Sequence, residues 1–291
     1  MIGIDWGTTH LRAYRIAEDR VIERRESESG IMHVPRGGFP DVLRRVAGDW
    51  IEAGDRRVLL AGMVGSRQGW LEARYVPCPA GPEEIGAAVI PMPFEGADVL
   101  LIPGLSAEDN AGVPEVMRGE ETEIAGVMDA IGESGLTCMP GTHTKWVRIA
   151  QGRIAGFETY LSGEVFAALR DHTILGRMMT PGPVVESAFD RGLARARGGG
   201  HLLHHLFGVR TLGLMDRLAE AESASYLSGL LIGHEVSAAL PVQVRVVLIG
   251  APSLCALYAR AIEACGGEAA TALPEAAARG LARIGKAAPW S

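Results

Sequence analysis

Apolar and polar positions change rhythm along this chain in the way that marks strands alternating with helices. Met1 to Ile4 is a short apolar run stopped by Asp5, and His10 to Ala17 contains alternating apolar residues. Glu18-Asp19-Arg20 is a polar turn, and Val21 onward reads as the returning strand of an antiparallel hairpin. Phe39 to Ala53 has the period of a helix, with Asp41 as its expected cap. Arg57 to Ala61 and Val99 to Pro103 read as core strands, and the proline-rich stretch Glu72 to Pro82 reads as a loop. Further on, Leu136 to Met139 is strand-like, a glycine–threonine turn follows, and strand-like patterns resume through Ala150 and from Arg153 to Tyr160. Helices are expected after Ser162, in parts of 182–208, over Ser223 to Leu240, over Leu254 to Ala264 and over Pro274 to Ile284. Val242 to Ile249 is a β-branched run that reads as a buried strand.

Composition narrows the class. A chain of 291 residues with 47% hydrophobic content can bury large cores, and two domains are the natural expectation. The net charge is −7 and no long basic run is present, which argues against a nucleic-acid partner. The four cysteines form no C-x-x-C, which argues against a zinc ribbon and suits a reducing compartment. The apolar run Ala224 to Leu240 is broken by Gly, His and Glu, so it reads as a buried helix and not as a membrane span. With no signal-peptide pattern at the start, the expectation is a soluble cytoplasmic protein acting on a small molecule; a homodimer is compatible.

The candidate chemistry begins where the first strand ends. Asp5-Trp6-Gly7-Thr8-Thr9 sets a carboxylate beside a glycine and two hydroxyls. This combination suits a phosphate tail with Mg²⁺: the carboxylate holds the hydrated ion, and N–H groups and hydroxyls donate to phosphate oxygens. Gly141-Thr142-His143-Thr144 repeats the pattern half-way along the chain, again between two strands. Gly250, after the Val242 strand and before a helix, offers close backbone approach to a nucleoside. Gly119-Glu120-Glu121 looks like an acidic helix start. Arg67 and Gln68 lie in a glycine-rich loop where a carboxylate and a hydroxyl would be met, with Trp70 and Tyr75 nearby. His201, His204 and His205 lack a carboxylate or cysteine at zinc spacing and read as the lead into a surface helix.

Together, Asp5–Thr9, Gly62–Trp70, Arg118–Thr122, Pro140–Val147 and Ser225–Gly233 resemble the 2-dehydro-3-deoxygalactonokinase family, within the actin, hexokinase and Hsp70 superfamily. The resemblance implies an α/β fold of two actin-like (ribonuclease H-like) domains, each a mixed five-stranded sheet flanked by helices, with a cleft between them. The expected domains are 1–118 and 119–291, the last helix packing back on the first. It implies phosphoryl transfer from ATP, with Mg²⁺, to the 6-hydroxyl of 2-dehydro-3-deoxy-D-galactonate in galactonate breakdown. In that scheme Asp5 serves the metal, Gly7, Thr8, Thr9, Gly141, Thr142 and Thr144 hold phosphates, and Gly250 backs the adenosine. Glu121 is the expected base, then Glu120, then Asp109. Arg67 meets the substrate carboxylate with Gln68, Trp70, Tyr75 and His143 around it. The competing readings are an exopolyphosphatase-like hydrolase of the same superfamily and a non-enzymatic ATP-binding module.

Overall fold

The structure, a computed structural model, describes residues 1–241, 243–272 and 274–290. It divides into two compact units, one of 1–135, 147–157 and 272–291, the other of 136–146 and 158–271.

The first unit opens with β1 (Ile2–Trp6), β2 (Leu11–Ala17) and β3 (Arg20–Ser27), the expected hairpin and its return. Helix α1 (Phe39–Glu52) and strand β4 (Arg57–Ala61) follow. Next come β5 (Val76–Pro77), α2 (Pro82–Ala87), β6 (Ile90–Pro91), β7 (Asp98–Leu101), β8 (Leu105–Glu108), β9 (Pro114–Met117) and α3 (Glu120–Ile131). The sheet order is β3-β2-β1-β4-β7-β6, with β1, β4 and β7 parallel. It therefore carries six strands where five were expected, because the short pair Ile90–Pro91 adds an antiparallel edge. Strands β5, β8 and β9 form a separate three-stranded sheet from residues that read as loop and acidic segment. The cap of α1 is Gly38, not Asp41, which points into solvent.

Alternation along β1 decides where the chemistry falls. Ile2, Ile4 and Trp6 join the core against α1, with Phe39, Leu43, Trp50 and Leu60. Gly3 and Asp5 therefore face the opposite side. There α9 (Ala276–Ala287) covers the sheet, with Leu281 against Gly3, and packs closely on α3. Glycines allow this approach: a Cβ on Gly280 would lie 1.7 Å from the Thr122 carbonyl oxygen. Both α3 and α9 belong to the first unit, whereas a boundary at 118/119 places them in the second.

Strands β10 (Ser134–Met139), β11 (Thr144–Ala150), β12 (Arg153–Tyr160), β13 (Arg245–Leu248) and β14 (Glu268–Thr271) form a five-stranded sheet ordered β12-β11-β10-β13-β14. This repeats the order of the first five strands of the other sheet, return strand first and parallel partners last. Val242, where the strand was expected to begin, lies outside the described residues. Helices α4 (Ser162–His172), α5 (Glu186–Arg197), α6 (Leu202–Leu214), α7 (Glu220–Ala239) and α8 (Pro252–Ala264) lie in the second unit, which excludes 147–157 of β11 and β12. Its core joins Trp146, Val246 and Leu248 to Phe189, Ile232, Val236 and Tyr258. His205 Nδ1 lies 3.0 Å from His234 Nε2, and no group of three or more potential metal ligands occurs among the described residues. No helix among those residues is long and apolar enough to cross a membrane.

Candidate active site

The turn after β1 is closed by the Gly7 N–H, which donates to the His10 carbonyl at 2.9 Å. The carbonyls of Gly7, Thr8 and Thr9 accept the N–H groups of Ile31, Met32 and Gly30 at 3.0, 3.1 and 3.1 Å. With its carbonyls held from behind, the turn leaves the Thr8 and Thr9 side chains exposed. Gly30 makes this possible, since a Cβ there would lie 2.2 Å from the Thr9 carbonyl carbon.

The turn between β10 and β11 is held the same way. The Thr142 carbonyl accepts the Glu164 N–H at 3.0 Å, and a Cβ on Gly163 would lie 2.3 Å from the Gly141 oxygen. Thr142 is exposed, and His143 Nε2 meets Glu164 Oε2 at 2.6 Å. Thr144 is different. It is fully buried, and its hydroxyl bonds to the Tyr258 hydroxyl at 2.9 Å. Tyr258 donates in turn to Glu235 Oε2, and Trp146 Nε1 donates to Glu235 Oε1, both at 2.8 Å. As the first residue of β11, Thr144 points into the core and braces the turn from below; its hydroxyl is not free for phosphate. Burial pushes the Glu235 carboxyl up. Glu235→Ala would leave two buried donors unpaired, so a loss of about 1–3 kcal/mol for each is expected in denaturant unfolding.

Carboxylates gather on the α3 side of β1. Asp5 Oδ2 is 3.4 Å from Arg12 Nη1. Burial raises the Asp5 pKa, and Arg12 opposes the rise. Gly62, at the end of β4, is near it: a Cβ there would lie 3.5 Å from Asp5 Oδ1 and one on Gly119 would lie 3.3 Å from Gly62 Cα. Glu120 Oε2 accepts the Arg118 N–H at 2.9 Å. Glu121 is wholly buried; it accepts the Gly119 N–H at 2.7 Å and the Thr122 hydroxyl at 3.0 Å. Both its oxygens build the helix start, so it does not present a free carboxylate. Glu123, three residues after Glu120 and only part-buried, was missed by the sequence reading. Its pKa is pushed up to about 7, by burial first and then by Asp5 and Glu120. Glu121 is also pushed to about 7, by burial and then Glu120. Asp109 is a turn-former, its Oδ1 accepting the Ala111 and Val113 N–H groups.

These shifts fix a sign. The folded state holds protons on Glu121 and Glu123 that the unfolded chain has released above its pKa of 4.5. Stability should therefore fall as pH rises from that value through about 7, by at most about 1.4 kcal/mol per pH unit for each group. Thermal melts of metal-free protein across pH 5 to 8 check this, and Glu123→Gln should flatten the slope.

The residues expected around the acceptor do not assemble as a set. The Arg67 side chain is 82% exposed and, among the described residues, pairs with Glu72, at 3.3 Å. Gln68 is exposed, and Trp70 stacks on Phe39 with ring centroids 6.3 Å apart, which makes it part of the core cluster. Tyr75 lies elsewhere, beneath the Arg118 guanidinium at 4.5 Å. In the second unit a cavity of about 780 Å³ opens beside Thr142 and Gly163, walled by Phe166, Ser228, Leu254 and Leu257. That volume is ample for a nucleoside. Gly250, with φ of 150°, lies at the end of β13, where a Cβ would be 3.2 Å from the Pro140 oxygen.

Two sheets of matching strand order, each carrying a glycine–threonine turn, with a carboxylate at the end of β1, define an actin-like phosphotransferase. The profile of the 2-keto-3-deoxy-galactonokinase family matches residues 5–284, and the chain belongs to that family. It is 37% identical over 270 residues to the 2-dehydro-3-deoxygalactonokinase of Escherichia coli (strain K12), covering 91% of this chain and 90% of that one. A Rhizobium meliloti (strain 1021) relative named for the same kinase is 36% identical over 272 residues, covering 90% of this chain and 89% of its own. A crystal structure described as a 2-dehydro-3-deoxygalactonokinase protein from Sinorhizobium meliloti superposes with a TM-score of 0.90 at 35% identity, covering 98% of each chain. At the level of fold alone, the chain also resembles the activator of 2-hydroxyisocaproyl-CoA dehydratase from Clostridium difficile (TM-score 0.52, 15% identity, 98% and 94% covered).

Proposed function

We propose that this chain is a 2-dehydro-3-deoxygalactonokinase, transferring the γ-phosphoryl group of ATP to the 6-hydroxyl of 2-dehydro-3-deoxy-D-galactonate. The product is the 6-phospho sugar acid. The observation that carries the reading is the family match over residues 5–284 with the phosphate-turn carboxylate, Asp5, at the start of it. Neither the hydrolase nor the non-enzymatic module gains support from these relatives.

Phosphoryl transfer asks mainly for positioning and charge neutralisation. Thr8 and Thr9, and likewise Gly141 and Thr142, are the phosphate donors of this scheme, while Gly7, its N–H held by His10, shapes the first turn. The cavity beside Thr142 takes the nucleoside. Mg²⁺ fits Asp5 on the state of that group: a half-buried carboxylate whose cationic contact, to Arg12, is long at 3.4 Å, with a second carboxylate, Glu123, in electrostatic reach. Mg²⁺ needs only one or two carboxylates, the rest of its shell being water and phosphate oxygens. When bound it neutralises phosphate charge. Glu123 is the base of this scheme in place of Glu121. It takes the proton of the 6-hydroxyl as that oxygen bonds to the γ-phosphorus and the bond to the ADP oxygen breaks. A carboxylate titrating near neutrality is matched to that task. Cytoplasmic residence and a homodimer complete the reading.

The test is a coupled assay of ADP release with the galactonate- and gluconate-derived keto acids. Turnover that depends on the galactonate-derived acid is expected. ADP release that no keto acid accelerates would overturn the assignment and favour a hydrolase.

A further inference from the structure

We propose that Arg118 is the anchor for the acceptor's carboxylate, the role that the sequence alone gives to Arg67. The inference rests on the reading of the acceptor as a sugar acid. Arg118 follows β9 and immediately precedes Gly119, whose backbone lies against Gly62 and so next to Asp5. Its guanidinium is held in place by two contacts. Nη2 donates to the Ala73 carbonyl at 2.8 Å, and the group lies over the Tyr75 ring at 4.5 Å. Nε and Nη1 are buried and have no hydrogen-bond partner. No carboxylate lies within ion-pair distance of the group among the described residues.

Guanidinium nitrogens fixed out of water with unfilled donors are costly to keep unless an anion completes them. Guanidinium meets a carboxylate better than any other side chain does, because its planar donors match the two oxygens. The neighbouring loop adds to the case. A Cβ on Gly65 would lie 2.9 Å from Nη1, so it is the missing side chain there that admits the guanidinium against this loop. The next residue, Ser66, is 9% exposed and its hydroxyl is also buried without a partner. Two segments in contact, one carrying Arg118 and the other Gly65-Ser66, thus hold unused donors, and the Tyr75 ring beneath the guanidinium is 42% exposed. Arg67, by contrast, is in water and already paired with Glu72.

The experiment compares the keto acid with its carboxamide, which is neutral and of the same shape, in wild type, Arg118→Gln and Arg118→Lys. In wild type, kcat/KM should favour the acid by about tenfold to a hundredfold. In Arg118→Gln that preference should collapse, with the KM for ATP unchanged, and Arg118→Lys should keep part of it. Arg67→Ala should leave the preference as in wild type. A folded Arg118→Gln that keeps the wild-type acid preference overturns the assignment while leaving the kinase reading intact. If Arg118→Gln does not fold, Arg118→Lys decides by the same ratio. If wild type turns over no keto acid, the kinase reading falls, and calorimetric titration of the acid decides Arg118 separately. Binding lost in the variant supports the site, whereas binding alike in both, or to neither, overturns it.

Discussion

Asp5→Asn is expected to lower kcat by at least about a thousandfold while Tm stays level or rises slightly. The two effects separate because the native carboxylate is itself a burden on the fold: burial already drives its pKa up, against the pull of Arg12. Asparagine keeps the shape and removes the charge, so the electrostatic cost disappears along with the metal-binding role proposed for this carboxylate. The pair of measurements is steady-state turnover at saturating Mg²⁺ and ATP, and a thermal melt. A variant that loses stability in proportion to turnover would show that Asp5 is structural.

Gly163→Ala is expected to raise the KM for ATP by at least about tenfold with a much smaller change for the sugar acid. The added methyl would sit 2.3 Å from the Gly141 oxygen and 2.8 Å from Thr142 Cα, and both are backbone atoms of the turn between β10 and β11. Neither can swing aside as a side chain would, so the turn itself must shift. Gly48 in α1 is the control. A Cβ there meets nothing within 4 Å, so Gly48→Ala should leave KM alone and stabilise by about 0.5–1 kcal/mol through helix propensity. Equal effects from the two substitutions would mean that Gly163 matters only as a helix residue.

The hairpins were legible in the sequence because alternation and turn chemistry are local. Leu11–Ala17 and Arg20–Ser27 fall where the pattern put them, and the second glycine–threonine turn announced the duplicated topology. The supports of those turns were not legible. Gly30 and Gly163 act on backbone distant in sequence from them, and nothing in their flanking residues distinguishes them from ordinary turn glycines. Thr144 looked identical to Thr142, and only the β11 register sends one inward and the other outward. The exposure of Arg67 was not legible for a related reason. Exposure belongs to the packed loop, and a glycine-rich loop does not reveal in sequence that this side chain points into water. Glu123 was visible in the sequence as one of three glutamates in four positions, and its spacing from Glu120 puts both on one face of α3, but the expected base was sought at Glu121 and Glu120.

The seam between α3 and α9 bears on how the protein is made. A Cβ on Gly126 would lie 1.9 Å from the Ala276 oxygen, and Arg283 grips Asp129 at 2.6 Å across the same seam. The opening sheet emerges from the ribosome well before the helix that seals one of its faces has been translated. That apolar face must wait, uncovered, while the whole other unit is synthesised. Vectorial maturation of one unit and then the next is therefore closed to this chain, and the nascent polypeptide is the stage at which chaperones have the most surface to protect.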